Sequence, residues 1–218
     1  MENLNRYFAF LSERPELFIN RGSLKIISRR EDLEAFEQQQ HCKLGVIYES
    51  KYHILLVDLV EDEQGRRFAY DRLISPNSYN GVVMIPFEGE KYALLRQFRH
   101  ASREYELEFP RGFSEPDLSA EENARKEIRE ELGTEVLEIR HEGAILSDSG
   151  LSGGRIEIYS ASVTDVQPSV GHEGIESVLW VTENELIRLI CDNKVRDCFT
   201  IAAFAKYRMN RETGVSNV

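Results

Sequence analysis

EFPRGFSEPDLSAEENARKEIREELGT, residues 108–134, reads as a strand end, a glycine loop and one short helix loaded with carboxylates. Ser119 is the expected N-cap, with Glu122 three residues on to close a capping box. Gly133 stands where a left-handed C-terminal cap belongs, so the spacing predicts a helix over residues 120–132. Helical periodicity stacks Ala124, Ile128 and Leu132 in one apolar stripe. Glu127 and Glu131, one turn apart, lie beside that stripe; Glu130 follows on the same side, while Glu122, Arg125 and Arg129 take the solvated side. Acids crowded near a packed face repel one another and rise in pKa unless something positive sits among them. Clustered hard oxygen ligands suit Mg²⁺ or Mn²⁺. The competing reading is an ordinary solvated face laced by i,i+4 pairs such as Glu121–Arg125 and Glu122–Lys126. The glycine loop ahead of the helix tips the balance toward a metal site.

The stretch resembles the Nudix box: Gly, five residues, Glu, seven residues, Arg-Glu, an apolar residue, any residue, Glu-Glu, any residue, Gly. Gly112, Glu127, Ile128, Glu130, Glu131 and Gly133 fall in register. Leu118 stands where the family has its first Glu, Lys126 where it has Arg, and Thr134 in a slot that is usually apolar. In the family that missing pair braces the loop against the helix, and the retained glutamates hold metal. The wider likeness runs from about Gly45 to Tyr207 and points to the ADP-ribose pyrophosphatase branch. It rests on LLRQFRH before the box, ELEFPRGF leading into it, SGLSGGR after it, and HEGIESVLWVTENEL with NKVRDCFTIAAF near the end.

The 218 residues carry 41% apolar and 30% charged side chains, a soluble globular composition able to bury a core. A formal net charge of −11 without basic runs argues against nucleic-acid binding, which needs a basic footprint. Cys42, Cys191 and Cys198 form no CxxC motif, so neither a disulfide framework nor a zinc knuckle is indicated. The sequence shows no signal peptide and no apolar run near the ~18 residues of a membrane span, so no membrane partner is expected and the cytoplasm is the default.

Along the chain, residues 1–43 read as a helix-prone extension for docking or dimerisation, with LEAFEQQQ helical. Residues 44–80 hold β-strands, VIYES, YHILLVDLV and RRFAYDRLI, the last two joined at EDEQG. Residues 81–210 form the Nudix catalytic domain. There NGVVMIPF and KYALLRQFR pair across residues 88–90, ELEFP enters the box, and EVLEIRHEGAIL and RIEIYSASV follow the helix. SDSGLSGGR between those two reads as a loop able to wrap a ligand, and VQPSVGHEG as a second polar loop. Thr182 and Glu185 form another capping box, and a last helix spans about residues 198–208. The expected fold is α+β, a Nudix-type α/β/α sandwich with a mixed sheet and an N-terminal β-rich extension.

The resemblance implies cleavage of a nucleoside diphosphate linked to another moiety, with ADP-ribose giving AMP and ribose 5-phosphate. The small nucleoside diphosphate is the expected partner, and exchange of N-terminal strands in that branch implies a homodimer. Glu127, Glu130 and Glu131 are the expected ligands for Mg²⁺ or Mn²⁺, with the Arg111 carbonyl completing the shell where Gly112 lets the backbone approach. Glu127, Glu131 and Glu173 are the catalytic set; Glu173 in GHEGIE occupies the place of a late-loop acid that serves as base or further ligand. Arg99, Arg72 and Glu108 are assigned to substrate, since a guanidinium suits bidentate contact with a diphosphate. A further family glutamate is replaced by Gly154, which leaves Glu157 as its possible stand-in. Trp180 and Tyr159 are expected in the core. Two alternatives stand beside this reading: a Nudix-fold nucleotide-sugar binding or regulatory protein with impaired catalysis, and a hydrolase of another nucleotide sugar such as GDP-mannose.

Overall fold

A computed structural model describes residues 2–77 and 81–214, and the chain divides into two units. The first unit takes residues 1–76 together with 148–153. Its helices α1 (Glu2–Glu13) and α2 (Arg30–Gln40) accompany a sheet of β1 (Lys25–Ile27), β2 (Gly45–Glu49), β3 (Ile54–Glu61) and β4 (Arg67–Ile74). β4 pairs along the whole of β3, so β1 and β2 share its opposite edge, all antiparallel. Leu4, Tyr7 and Phe10, one helical face of α1, bury with Leu33, Leu44, Leu56 and Leu59. The extension therefore shares one apolar core with the strands. The Tyr7 hydroxyl donates to Asp58 at 2.5 Å, and burial beside that carboxylate holds the phenol above its ordinary range.

The second unit, residues 77–147 and 154–218, is built on a mixed sheet ordered β11-β6-β5-β10-β9. Its strands are β5 (Gly81–Glu88), β6 (Lys91–Arg99), β7 (Glu104–Glu108), β8 (Arg111–Phe113), β9 (Val136–Asp148), β10 (Ser152–Val163) and β11 (Ile175–Thr182). Its helices are α3 (Ala120–Leu132), α4 (Glu183–Cys191) and α5 (Cys198–Thr213). β5 and β10 run parallel; the other registered pairs of this sheet are antiparallel. Alternation along β5 sends Val82 and Met84 to α3, where Ala124, Ile128 and Leu132 meet them. Val83 and Ile85 face Leu186 of α4 and Ala203, Phe204 and Tyr207 of α5. The α/β/α sandwich follows from that alternation.

β5 and β6 pair only beside their turn, at Phe87–Tyr92 and Glu88–Lys91. Beyond it they part: β6 takes β7 as neighbour and β5 takes β8, which delivers Glu108 and Gly112 into the gap. Asn80, which the sequence puts at the head of β5, lies outside the described residues.

Helix α3 occupies the predicted span. Ser119 Oγ accepts from Glu122 N, the Glu122 carboxylate accepts from Ser119 N, and Gly133 closes the helix at φ 60°. Of the pairs offered by the competing solvated-face reading, Glu121–Arg125 forms and Glu122–Lys126 does not, because Glu122 is held in the cap and Lys126 reaches Glu115 and Glu130. The long SDSGLSGGR loop is also corrected. β9 and β10 extend through most of it and leave a short turn, tightened by Leu151 N donating to Asp148 O and Gly150 N to the Asp148 side chain. Tyr159 is buried on the α3 side of the sheet, and Trp180 packs partly buried against the same cluster. No helix among the described residues is long and apolar enough to cross a membrane.

Candidate active site

Glu127 and Glu131 both lie where α3 meets the β8 loop and the late polar loop. Gly112 makes room for the first: a Cβ there would stand 1.9 Å from Glu127 Oε1, so any side chain would displace the carboxylate. Burial pushes the Glu127 carboxyl up to about 7; Lys126 opposes the shift, and Glu130, Glu173 and Glu115 add to it. Glu131 is 3% exposed and its Oε2 has no hydrogen-bond partner. Burial and then the Glu127 charge push Glu131 up to about 8, against the pull of Arg99.

The late loop is docked on the end of this helix. Gln167 N donates to Leu132 O and Ser169 N to Glu131 O, satisfying carbonyls that a helix C-terminus leaves open. Gly133 lies so close to Gln167 O that a Cβ would stand 2.0 Å away, a second reason for glycine at the cap. Further along, Gln97 on β6 donates to the Glu173 carbonyl at 3.0 Å, and Glu173 itself adopts φ 44°. Its charge raises both Glu127 and Glu131, which places it in their neighbourhood.

Arg99 and Arg111 form the cationic side, with the Glu108 carboxylate between them. Arg99 Nε donates to Glu108 Oε1 at 2.5 Å, while Arg99 Nη2 is buried without a hydrogen-bond partner. Glu108 is fully buried; desolvation raises its pKa against the pull of Arg99 and Arg111. The Arg111 side chain lies 3.3 Å from Glu108, 3.5 Å from Asp197 and 4.7 Å above the Phe199 ring, so it bridges β8 to the start of α5. Asp197 in turn caps α5 by accepting from Thr200 N, and the Thr200 hydroxyl accepts from Phe109 N.

The other candidates have different partners. Glu130 is exposed and its carboxylate lies 2.8 Å from Lys126 Nζ. Arg72 belongs to the first unit, where its guanidinium binds Asp58 and Leu17 O. Glu157 accepts from His141 at 2.8 Å and lies 3.1 Å from Arg155, so its carboxylate is already engaged. Among the described residues, no three His, Cys, Asp or Glu side chains gather closely enough to enclose an ion. Mg²⁺ commonly uses one or two carboxylates and fills its remaining positions with water and substrate phosphate. Glu127 and Glu131 fit that pattern: a buried carboxylate with one oxygen unpartnered beside a half-buried one that lies against a glycine.

Two contributors were not singled out from sequence. Asn123, fully buried, donates to Phe113 O at 2.8 Å and ties the loop to α3; its place one turn before Glu127 was a usable signal. Glu115 has no such signal, since its contact with Lys126 exists only once the loop folds back.

The chain belongs to the Nudix family: the NUDIX domain model matches residues 78–200. Among individual relatives, it is similar to the ADP compounds hydrolase NudE of Escherichia coli strain K12, 34% identical over 77 residues, or 35% of this chain. That match spans 40% of the relative's length. A solved structure described as an ADP compounds hydrolase superposes with a TM-score of 0.63 at 20% identity, covering 79% of this chain and 94% of that one, and shows the shared fold.

Proposed function

We propose that this chain is a divalent-metal-dependent hydrolase of a nucleoside diphosphate linked to another moiety, with ADP-ribose as first substrate and AMP and ribose 5-phosphate as products. One observation carries the reading: Glu131 is buried with an unpartnered carboxylate oxygen beside Glu127, which is itself desolvated. Buried charges persist when paired or bound to metal, so this arrangement calls for a cation. The similarity to a protein named an ADP compounds hydrolase supports the substrate class.

Glu127 and Glu131 would hold Mg²⁺ or Mn²⁺, with the Arg111 carbonyl as a further ligand; Glu130 joins only by leaving Lys126. Such an ion, when bound, neutralises phosphate oxygens and acidifies water. Arg99, held by Glu108, directs its remaining guanidinium nitrogen at a phosphate. Glu173, fixed on its turn by Gln97, orients the attacking water and accepts its proton. Arg72, engaged by Asp58 and the Leu17 carbonyl within the first unit, is given no part in this site. The exposed Ile47, Tyr48 and Phe68 on β2 and β4 support a homodimer formed through the first unit, and the cytoplasm is its proposed place.

The test is product release from a panel of nucleoside diphosphates with Mg²⁺ or Mn²⁺. Glu127→Gln and Glu131→Gln each lower the rate at least about a hundredfold; unchanged turnover in both overturns the assignment. A binding protein is the second reading, favoured by Leu118, Lys126 and Gly154 where the family has Glu, Arg and Glu. Thermal stabilisation by ADP-ribose that stays intact on chromatography would select it, and sedimentation of the purified chain checks the dimer.

A further inference from the structure

The β8–α3 loop is fastened to the helix at three places. Asn123 holds Phe113 O from below, Ser119 caps the helix at the far end, and between them Lys126 Nζ lies 2.7 Å from Glu115 Oε1 and 2.8 Å from Glu130 Oε2. Asn123, Lys126, Glu127 and Glu130 stand at i, i+3, i+4 and i+7, so one helix stripe carries both the fastenings and a proposed metal ligand. Gly112 lies on β8, three residues before Glu115 in the loop that leaves it, and the Glu127 carboxylate fills the space beside Gly112 that a Cβ would take.

We infer that Glu115 and Lys126 are a positioning pair, which sets the loop at Gly112 against the Glu127 side chain and so fixes the distance between backbone and metal-holding carboxylate. The inference rests on the proposed metal-dependent function. Lys126 and Glu115 have side chains 33% and 41% exposed. A pair so open to solvent adds little to global stability. Its effect falls on local geometry, where loss of an outer-shell partner commonly weakens a metal site 10–100-fold. Glu130, the other arm, holds the Lys126 ammonium from one turn further along the same helix.

The test compares Glu115→Gln, Lys126→Met, the double variant and Lys126→Arg in the full chain. Two readouts are used: Mn²⁺ affinity from the EPR signal of free ion, and amide exchange over residues 113–119. Each single variant should weaken Mn²⁺ binding about tenfold and speed exchange in the loop, with an unfolding midpoint within about 4 °C of the parent. The double variant should match either single, as expected of two residues acting through one contact, and Lys126→Arg should keep parental affinity. Unchanged affinity in the singles, or additive losses in the double, overturns the inference even if exchange rises. A parent chain that binds no Mn²⁺ overturns the proposed function instead; unchanged exchange in the same variants would then overturn the pair as well.

Discussion

Glu131 and Glu142 are both almost inaccessible carboxylates of the second unit, yet their surroundings are opposite. Glu142 is met on both oxygens: Arg140 donates to each, Ser160 Oγ to Oε1 at 2.7 Å and Asn210 Nδ2 to Oε2 at 2.7 Å. Burial alone would raise its pKa, but Asn210, Arg140 and Ser160 outweigh it and hold the carboxyl below its usual range. Glu131 has burial and a neighbouring carboxylate instead, and moves upward. The satisfied acid joins β9, β10 and α5. The unsatisfied one is poised for something the chain does not supply, and that difference separates structural from functional burial.

The largest expected effect breaks the comparison at its functional end. Glu131→Gln should lose at least about a hundredfold in turnover while its unfolding midpoint stays level or rises, since a neutral amide relieves a desolvated charge. A fall in both would make Glu131 a structural acid. Next, Glu142→Ala should cost about 2 kcal/mol in denaturant unfolding, because it removes the carboxylate that Ser160 and Arg140 donate to and leaves Asn210 only the main-chain carbonyl. Turnover per folded molecule should hold.

The pH dependence sharpens the same contrast. Glu127 and Glu131 have folded pKa values of about 7 and about 8, above those of an unfolded chain. The folded metal-free protein therefore binds more protons than the unfolded one between those values, so stability falls as pH rises from about 4.5, the ordinary carboxylate value, and levels off above about 8. Glu142 behaves the other way: its depressed pKa gives stability that is present above the unfolded carboxylate value and lost as pH falls through the folded one. Urea unfolding of metal-free protein from pH 3 to 9 should show both limbs. Replacing Glu127 and Glu131 together with Gln should flatten only the alkaline one.

Much of α3 was legible because its signals are local. Ser119, Glu122 and Gly133 mark both ends, and the spacing of Ala124, Ile128 and Leu132 gives the buried face. The partners of its acids were not legible. The competing solvated-face reading paired Lys126 with Glu122 through helix spacing, but the capping box engages that carboxylate, and a loop residue eleven positions earlier takes its place. Arg72 was assigned to substrate, because nothing near it in sequence announces Asp58 or the Leu17 carbonyl. The SDSGLSGGR segment was read as a loop from its Gly and Ser content, whereas strand pairing continues through small residues when a tight turn lies between.

The smallest effect distinguishes two copies of one motif. Ser119 on α3 and Thr182 on α4 close equivalent capping boxes, each accepting from the backbone three residues on. Ser119→Ala and Thr182→Ala should each cost about 1 kcal/mol in unfolding free energy. Only the first helix carries Glu127 and Glu131, and only its cap adjoins the loop that sets Gly112. Loosening it should therefore raise the Mn²⁺ concentration needed for half-maximal turnover, while the Thr182 variant keeps the parental value. If both variants shift that concentration equally, the loss follows from general destabilisation, and the start of α3 has no separate part in holding the site.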